Sequence, residues 1–364
     1  MPDFLTPKQE KLRQAARALG KHLAELSSAS DDPNDLRTEI SDASKAAGIF
    51  SLTQPKDHGG KGGSSTDLVI VRDALGSFNA GHLPGIFGPS PGLLGQASQE
   101  VKEKFLVPFL NGQIHGGFGF TEPSDAIRHT WGCYDGTDLV VNGAKSYVTG
   151  GLEADFINTL VEVEGEGPAM VLIESRSPGV EIAESFNSVD GSHHARFTFC
   201  DVRVPSSHII GKAGTGLKRA LDQINAVRMA IAANCVGLNQ YVCDLLAESL
   251  AVGNASETRE RVHFGRMRTM AFAARSSLYR TAGLLDSGQN SVNEVMISKA
   301  LATETLNDLV DQAIQIVGGE ALVESHPLAQ IFKRARSTRL AEGPTEVLYA
   351  NISRGFLDLN LGKI

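Results

Sequence analysis

The chain has 364 residues, is 41% hydrophobic and 21% charged, and carries a formal net charge of −8. That length sets a prior of about two or three domains, and the composition supplies ample core, which excludes a disordered chain. A mildly acidic balance gives no reason to expect nucleic acid or an anionic membrane surface as a partner.

The opening Met1-Pro2-Asp3-Phe4-Leu5 has neither a basic n-region nor an apolar stretch, so no secretory leader is expected. No run of 18 apolar residues predicts a membrane span. Cys133, Cys200, Cys235 and Cys243 form no CxxC pair, and a reducing cytoplasm is the expected home. Cys200 falls in a strand pattern and Cys235 and Cys243 in a helix pattern; all three read as packing thiols.

Residues 6 to about 110 read as helices. Thr6-Pro7-Lys8-Gln9 is a helix start, with a Thr cap, Pro at the first helical position and Gln three residues after the cap. Leu12, Ala16, Leu19, Leu23 and Leu26 then mark one helical face. A second helix ends near Gly48, a third spans Ser64 to Phe78, and another covers Gln99 to Leu106. Between the last two, GHLPGIFGPSPGLLG excludes one continuous helix. From about 115 to 210 the pattern shortens to strands. Leu139-Val140-Val141 runs into Asn142-Gly143, a hairpin signal. Residues 156–161, 169–173 and 195–204 are strand-like. No helix separates them, which predicts an antiparallel sheet. From 214 onwards long helices return. One stripe joins Leu217, Leu221, Ile224, Ile231, Cys235, Leu238, Val242 and Leu245. A second joins Met267, Met270, Ala274, Leu278 and Leu285 and stops at Gly288. Ser291 to Glu294 reads as a capping box that opens a helix running to Gly318-Gly319.

Several residues in these elements could carry chemistry. Glu342 sits at a Gly-Pro break, where a carboxylate can project into a pocket and desolvation can raise its pKa towards that of a general base; capping or solvation is the plain alternative. Arg228 falls inside an apolar stripe, and a buried guanidinium needs an acceptor, either in an ion pair or at a site. Thr121-Glu122-Pro123 ends the apolar run 117–120 and can present a hydroxyl to a ligand or act as a local cap. Alternation places Tyr147 and Thr149 on one sheet face. Arg261 heads Arg261-Val262-His263-Phe264-Gly265, and an Arg fork suits a diphosphate as well as solvent. Gly318-Gly319 permits close backbone approach or a C-cap. Other patterns fail: there is no GxGxxG, Gly211 to Gly216 lacks the P-loop lysine, Pro91 spoils Gly88-Pro89-Ser90-Pro91-Gly92 as a nucleophile elbow, and His193-His194 has no third metal ligand, so no metal site is expected.

Nine stretches in order, PKDHGGKGG, GFTEPSD, NGAKSYVTGG, FTFCDVRVP, IGKAGTGLKRAL, NAVRMAIAANCVGL, RVHFG, QIVGGEAL and AEGPTEV, resemble the acyl-CoA dehydrogenase family over nearly the whole chain. The resemblance implies a mainly helical α+β fold: an N-terminal helical domain (1–114), a central antiparallel β domain (115–211) and a C-terminal helical bundle (212–364). It implies FAD-dependent oxidation of an acyl-CoA thioester to the trans-2-enoyl thioester, with electrons passed to an electron-transferring flavoprotein. Glu342 becomes the base that removes the α-proton. Ser124, Arg228 and Gly343 fall to the substrate. Phe118, Phe120, Thr121, Tyr147, Thr149, Arg261, Gln315, Gly318, Gly319 and Thr345 fall to FAD, with Arg261 and the Gln315–Gly319 element serving a neighbouring subunit. A homo-oligomer, tetramer or dimer, follows from that last implication.

This chain departs from the family's pattern at five places, one of them the Pro-rich stretch 84–91, which differs from the usual pocket-lining helix. A glycine-rich insert before Ser124 is missing, Tyr147 replaces the usual Trp, Gly253-Asn254-Ala255-Ser256 interrupts a bundle helix, and Pro344 stands between Glu342-Gly343 and Thr345. Two alternatives stay open: an assembly subunit of a heteromer with an incomplete FAD site, and a flavin oxidase that passes electrons to oxygen.

Overall fold

The computed structural model describes residues 5–28, 35–252 and 258–362. The Gly253-Asn254-Ala255-Ser256 interruption lies outside them. The chain divides into two compact units, Met1–Gly88 with Asn225–Ile364, and Pro89–Ile224.

The first unit is helical. Helix α1 (Pro7–Ser27) opens on Thr6, whose hydroxyl accepts from the Gln9 amide while the Gln9 side chain accepts from the Thr6 amide. It buries Ala16, Leu19 and Leu23. Helix α2 (Arg37–Ala46) follows, and α3 (Ser65–Gly76) opens on a second capping box, Ser64 with Asp67. The core of this unit lies among α3 and the long C-terminal helices, joining Val69 and Ile70 to Met229, Val236, Leu278, Leu306, Leu309 and Ile331. Truncating one such buried leucine to alanine removes about 2–5 kcal/mol.

The second unit is built on an eight-stranded sheet. Its helical part is α4 (Gln99–Val101), a π turn (Lys102–Leu106) and α5 (Val107–Leu110). The strands are β1 (Gly116–Gly119), β2 (Trp131–Asp135), β3 (Asp138–Thr149), β4 (Phe156–Val163), β5 (Gly167–Glu174), β6 (Val180–Asn187), β7 (His193–Pro205) and β8 (Ile209–Ile210). Their order is β6-β7-β3-β2-β4-β5-β8, with β1 beside β4. Most neighbours are antiparallel, while β1 and β2 each run parallel to β4. Helical residues 89–110, expected with the N-terminal helices, pack here: Leu93, Leu94, Phe105 and Leu106 share a core with Phe156, Met170 and Ile210.

The long helices are α6 (Gly216–Val252), which crosses the boundary of the two units, α7 (Thr258–Asp286), α8 (Val292–Val317), α9 (Pro327–Thr338) and α10 (Thr345–Leu359).

Four local expectations are corrected. Asn142-Gly143 is no hairpin. β3 runs straight through it, the hairpin falls at Gly136-Thr137, and Gly143 (φ +139°) occupies a bulge where a Cβ would meet the Thr130 backbone at 2.6 Å. Ser291 precedes α8 but does not cap it. Its φ −119°, ψ 28° turns the hydroxyl to the Gln289 carbonyl at 3.1 Å. Leu217 and Leu221 are 44% and 39% exposed, and the buried face of the first turns of α6 runs through Ala220 and Ile224 instead. Cys200 is exposed on β7 and is not a packing thiol.

Candidate active site

In the helical unit the chain between α9 and α10 makes a sharp two-residue bend. Glu342 has φ +55° and Gly343 φ +108°. A non-glycine residue in the left-handed region costs roughly 1–3 kcal/mol and persists only where its surroundings fix it. Two cations do so here. Arg228, 7% exposed on α6, donates from Nε to the Glu342 carbonyl at 2.9 Å and from Nη1 to Asn225 Oδ1 at 2.9 Å. Lys299, fully buried on α8, donates from Nζ to the Gly343 carbonyl at 3.0 Å and to the Arg339 carbonyl at 3.3 Å. Gly343 is needed because its φ suits only glycine and because a Cβ would lie 3.3 Å from the Arg228 guanidinium.

The half-buried Glu342 carboxyl is raised above the ordinary carboxylate range by burial, against the opposing pull of Arg228 and Lys299. Burial lowers Arg228 and brings Lys299 down to about 8. The bend therefore presents a carboxylate of increased basicity beside fixed positive charge, the condition a general base requires. Pro344 caps α10 with φ −52°, ψ 149°. Thr345 is buried, and its hydroxyl donates to Glu304 Oε1 at 2.6 Å, an oxygen that also accepts from Arg339 Nε at 2.8 Å. Thr345 thus fastens the start of α10 to α8.

A second cluster lies in the sheet unit, where β1 ends beside β3. The Ser146 amide donates to the Thr121 carbonyl at 2.9 Å, which sets Thr121 next to Tyr147. A bulge between Lys145 and Val148 puts Tyr147 at φ +56° and 61% exposed; Val148 turns inward and Thr149 outward. Tyr147 meets Phe186 edge-on at 5.5 Å and His194 at 6.2 Å. Phe118 and Phe120 stack at 6.1 Å with 9° between their rings. Behind this wall the buried Lys145 ammonium donates to Glu122 Oε1 at 2.5 Å and to the Phe120 carbonyl at 3.3 Å. Glu122 also accepts from the Thr130 amide at 2.9 Å. Burial pulls Lys145 down against the influence of Glu122. Burial also opposes ionisation of Glu122, but its bonds to Lys145 and Thr130 prevail and keep it below the usual range.

His194 orders Thr149. Ser192 Oγ donates to Asp190 Oδ1 at 2.6 Å, so it accepts from His194 Nε2 at 2.9 Å. In the neutral ring Nδ1 is then an acceptor, and the Thr149 hydroxyl donates to it at 3.2 Å. The Thr149 lone pairs are left to the exposed side.

The remaining candidates stand elsewhere. Ser124 is exposed, and its neighbour Asp125 pairs with Arg196 at 3.2 Å. Arg261 is exposed near the start of α7. Gln315, Gly318 and Gly319 lie at the end of α8, where a Cβ on either glycine would meet nothing within 4 Å. Gln315 is sixteen residues beyond Lys299 on the same helix, roughly 24 Å at 1.5 Å per residue, and the two glycines follow just past the end of that helix. A cavity of about 320 Å³ in the helical unit, lined by Arg13, Asp73, Arg275 and Tyr279 among others, holds none of these candidates. There Asp73 is paired with Arg275 at 2.7 Å and with the Tyr279 hydroxyl at 3.0 Å.

Comparison with known proteins adds the lineage. The acyl-CoA dehydrogenase N-terminal domain profile matches residues 6–113 and the C-terminal domain profile residues 214–357. The chain belongs to the acyl-CoA dehydrogenase family. It is 27% identical to acryloyl-CoA reductase (NADH) of Anaerotignum propionicum, over 97% of this chain and 95% of that protein. It is 28% identical to the human mitochondrial short-chain specific acyl-CoA dehydrogenase, over 82% and 78%. A probable acyl-CoA dehydrogenase from Mycobacterium abscessus superposes with a TM-score of 0.83 at 26% identity, covering 96% of this chain and 99% of that one.

Membership makes this acyl-CoA dehydrogenase relative an oxidoreductase, and its cofactor is FAD. The sheet-unit wall fits a flat aromatic ligand: an exposed aromatic ring, two outward hydroxyl-bearing positions and a backbone locked from behind by Lys145 and Glu122. Lys299, Lys145, Glu304 and His194 were not singled out from sequence for these roles. The one advance signal was a lysine inside an apolar helical period, Lys299 one turn after Val295 and Met296 and one turn before Ala302.

Proposed function

We propose that this chain oxidises a saturated acyl-CoA thioester to the trans-2-enoyl-CoA, with Glu342 as the base. The observation that carries the reading is the bend at Glu342-Gly343: an internal carboxyl, made more basic by burial, with its backbone held by Arg228 and Lys299. Glu342 removes the α-proton, and the fixed positive charge nearby favours its ionised form. Arg228, Gly343 and Ser124 are assigned to the substrate. Phe118, Phe120, Thr121, Tyr147 and Thr149 are assigned to the flavin ring, Arg261, Gln315, Gly318 and Gly319 to the FAD diphosphate and adenosine half, and Thr345 to the cofactor side through the base loop it anchors. FAD, held by these residues, would supply the acceptor for the β-hydride; the protein's part is to position, exclude water and move the proton.

An electron-transferring flavoprotein is the proposed electron acceptor and the cytoplasm the proposed location. Among the described residues no helix is long and apolar enough to cross a membrane. A homo-oligomer, dimer or tetramer, is proposed because Gln315 and Gly319 are exposed and Gln315 stands far along α8 from Lys299, which holds the base segment. Exposed Leu322 and Val323 beside Gly319 offer apolar surface for a second copy.

The test is the visible spectrum of the purified chain, followed by anaerobic addition of butyryl-CoA. The expected result is a flavin band that bleaches, with enoyl-CoA found by mass spectrometry. Absence of flavin favours the assembly-subunit alternative, and rapid oxygen consumption in air favours the oxidase.

A further inference from the structure

We infer that Lys299 is a positioning residue for the base: together with Arg228 it grips the consecutive carbonyls of Gly343 and Glu342, holding the bend from which the carboxylate projects and keeping a positive charge beside that carboxylate. This rests on the reading of Glu342 as the base. The geometry is specific. Lys299 is fully buried, and its ammonium bonds to two carbonyls, Gly343 at 3.0 Å and Arg339 at 3.3 Å. Arg339 closes α9 and Gly343 precedes α10, so one ammonium ties together both ends of the base segment. The nearest carboxylate on its own helix, Glu304, is committed to Arg339 and Thr345. A buried cation hydrogen-bonded to carbonyls alone is costly to keep. Its charge acts instead on Glu342, whose ionised form it favours.

The charged and titratable groups around the pair are few. Arg228 and Cys235 face Lys299 from α6, Glu304 from α8 and Glu342 from the bend; Arg228 and Lys299 face Glu342. Removing the Lys299 charge takes away one of the two cations that oppose the burial of Glu342. Ionisation of the base then requires a higher pH.

The experiment compares Lys299→Met with wild type, both loaded with FAD, and follows the rate of flavin bleaching by butyryl-CoA against pH together with the substrate dissociation constant. The acid limb is expected to move up by about one pH unit, about tenfold in ionised base at a given pH on that limb, while the dissociation constant changes little. Lys299→Gln, which keeps a donor but no charge, is expected to show the same displacement and covers the case in which Lys299→Met does not fold. A wild-type acid limb in a folded variant, whatever its loss of thermal stability, overturns the proposal. Glu342→Gln run alongside separates the two failures. If it bleaches like wild type the base reading is wrong. If it is inert while Lys299→Met keeps the wild-type limb, only the role of Lys299 is wrong.

Discussion

Two buried lysines, one in each unit, meet the same problem in opposite ways. Lys145 in the sheet unit has a carboxylate partner, Glu122, at 2.5 Å. Lys299 in the helical unit bonds only to carbonyls, and burial brings it down to about 8. The first is a closed pair that fixes the backbone behind Thr121 and Tyr147 and has no charge to spare. The second leaves its charge available to a carboxylate it does not touch. The difference teaches that a lysine bonded to backbone can hold a loop and tune a base at once, whereas one in a salt bridge supplies rigidity alone.

Stability breaks the comparison most sharply. Lys145→Met leaves the part-buried Glu122 without its lysine, with only the Thr130 amide and the exposed His129 against it, a loss of about 3 kcal/mol, the low end for a broken buried pair. Lys299→Met removes a charge that had no paired carboxylate, so its urea midpoint is expected to fall much less. The pH dependence should also differ. Lys299 is lowered in the folded state, so between about 8 and its ordinary range the unfolded chain binds more protons. Wild-type stability therefore gains a contribution with rising pH across that window, absent in Lys299→Met. Equal midpoints for the two variants would contradict the contrast.

The next effect concerns the exposed positions. Arg261→Ala is expected to lose FAD on extensive dialysis, since a hydrogen bond to a charged group is worth roughly 1.5–3 kcal/mol, about 10–150-fold in affinity. The flavin-to-protein absorbance ratio before and after dialysis is the readout. Wild-type retention would mark this arginine as an ordinary surface charge. The smallest effect belongs to His194. His194→Phe keeps a ring against Tyr147 and Phe186 but removes the acceptor of the Thr149 hydroxyl. One net hydrogen bond, about 1 kcal/mol, predicts roughly a fivefold slower flavin reduction with FAD still bound. An unchanged rate would show that Thr149 needs no such orientation.

Much of this was legible in the chain. Thr6 with Gln9 announced α1 because the capping pattern is local. Glu342 stood out because a carboxylate at a Gly-Pro break can project into a pocket, a reading that only the family resemblance favoured over capping, and Arg228 because a guanidinium interrupted an apolar stripe. What stayed hidden depends on residues far apart in sequence. The acceptors of Lys299 lie 40 and 44 residues away and are backbone atoms, which leave no residue-type signature. Asn142-Gly143 carries a turn's chemistry, but the Asn142 side chain bridges to Asp201 on β7 and the dipeptide becomes a bulge. Ser291 has the right spacing for a cap and the wrong backbone angles, which are set by the turn before it rather than by its identity.

Proton removal can be isolated from hydride transfer, and that isolation tests the central claim most directly. A thioester with sulfur in place of the β-carbon can lose its α-proton but has no β-hydride to give. Incubated with the FAD-loaded protein in D₂O, it should take up deuterium at the α-carbon, read by mass spectrometry. Loss of a general base typically costs about 10²–10⁴-fold, and Glu342→Gln is expected to slow the exchange by that amount at unchanged FAD occupancy. Exchange in Glu342→Gln at the wild-type rate would contradict Glu342 as the base.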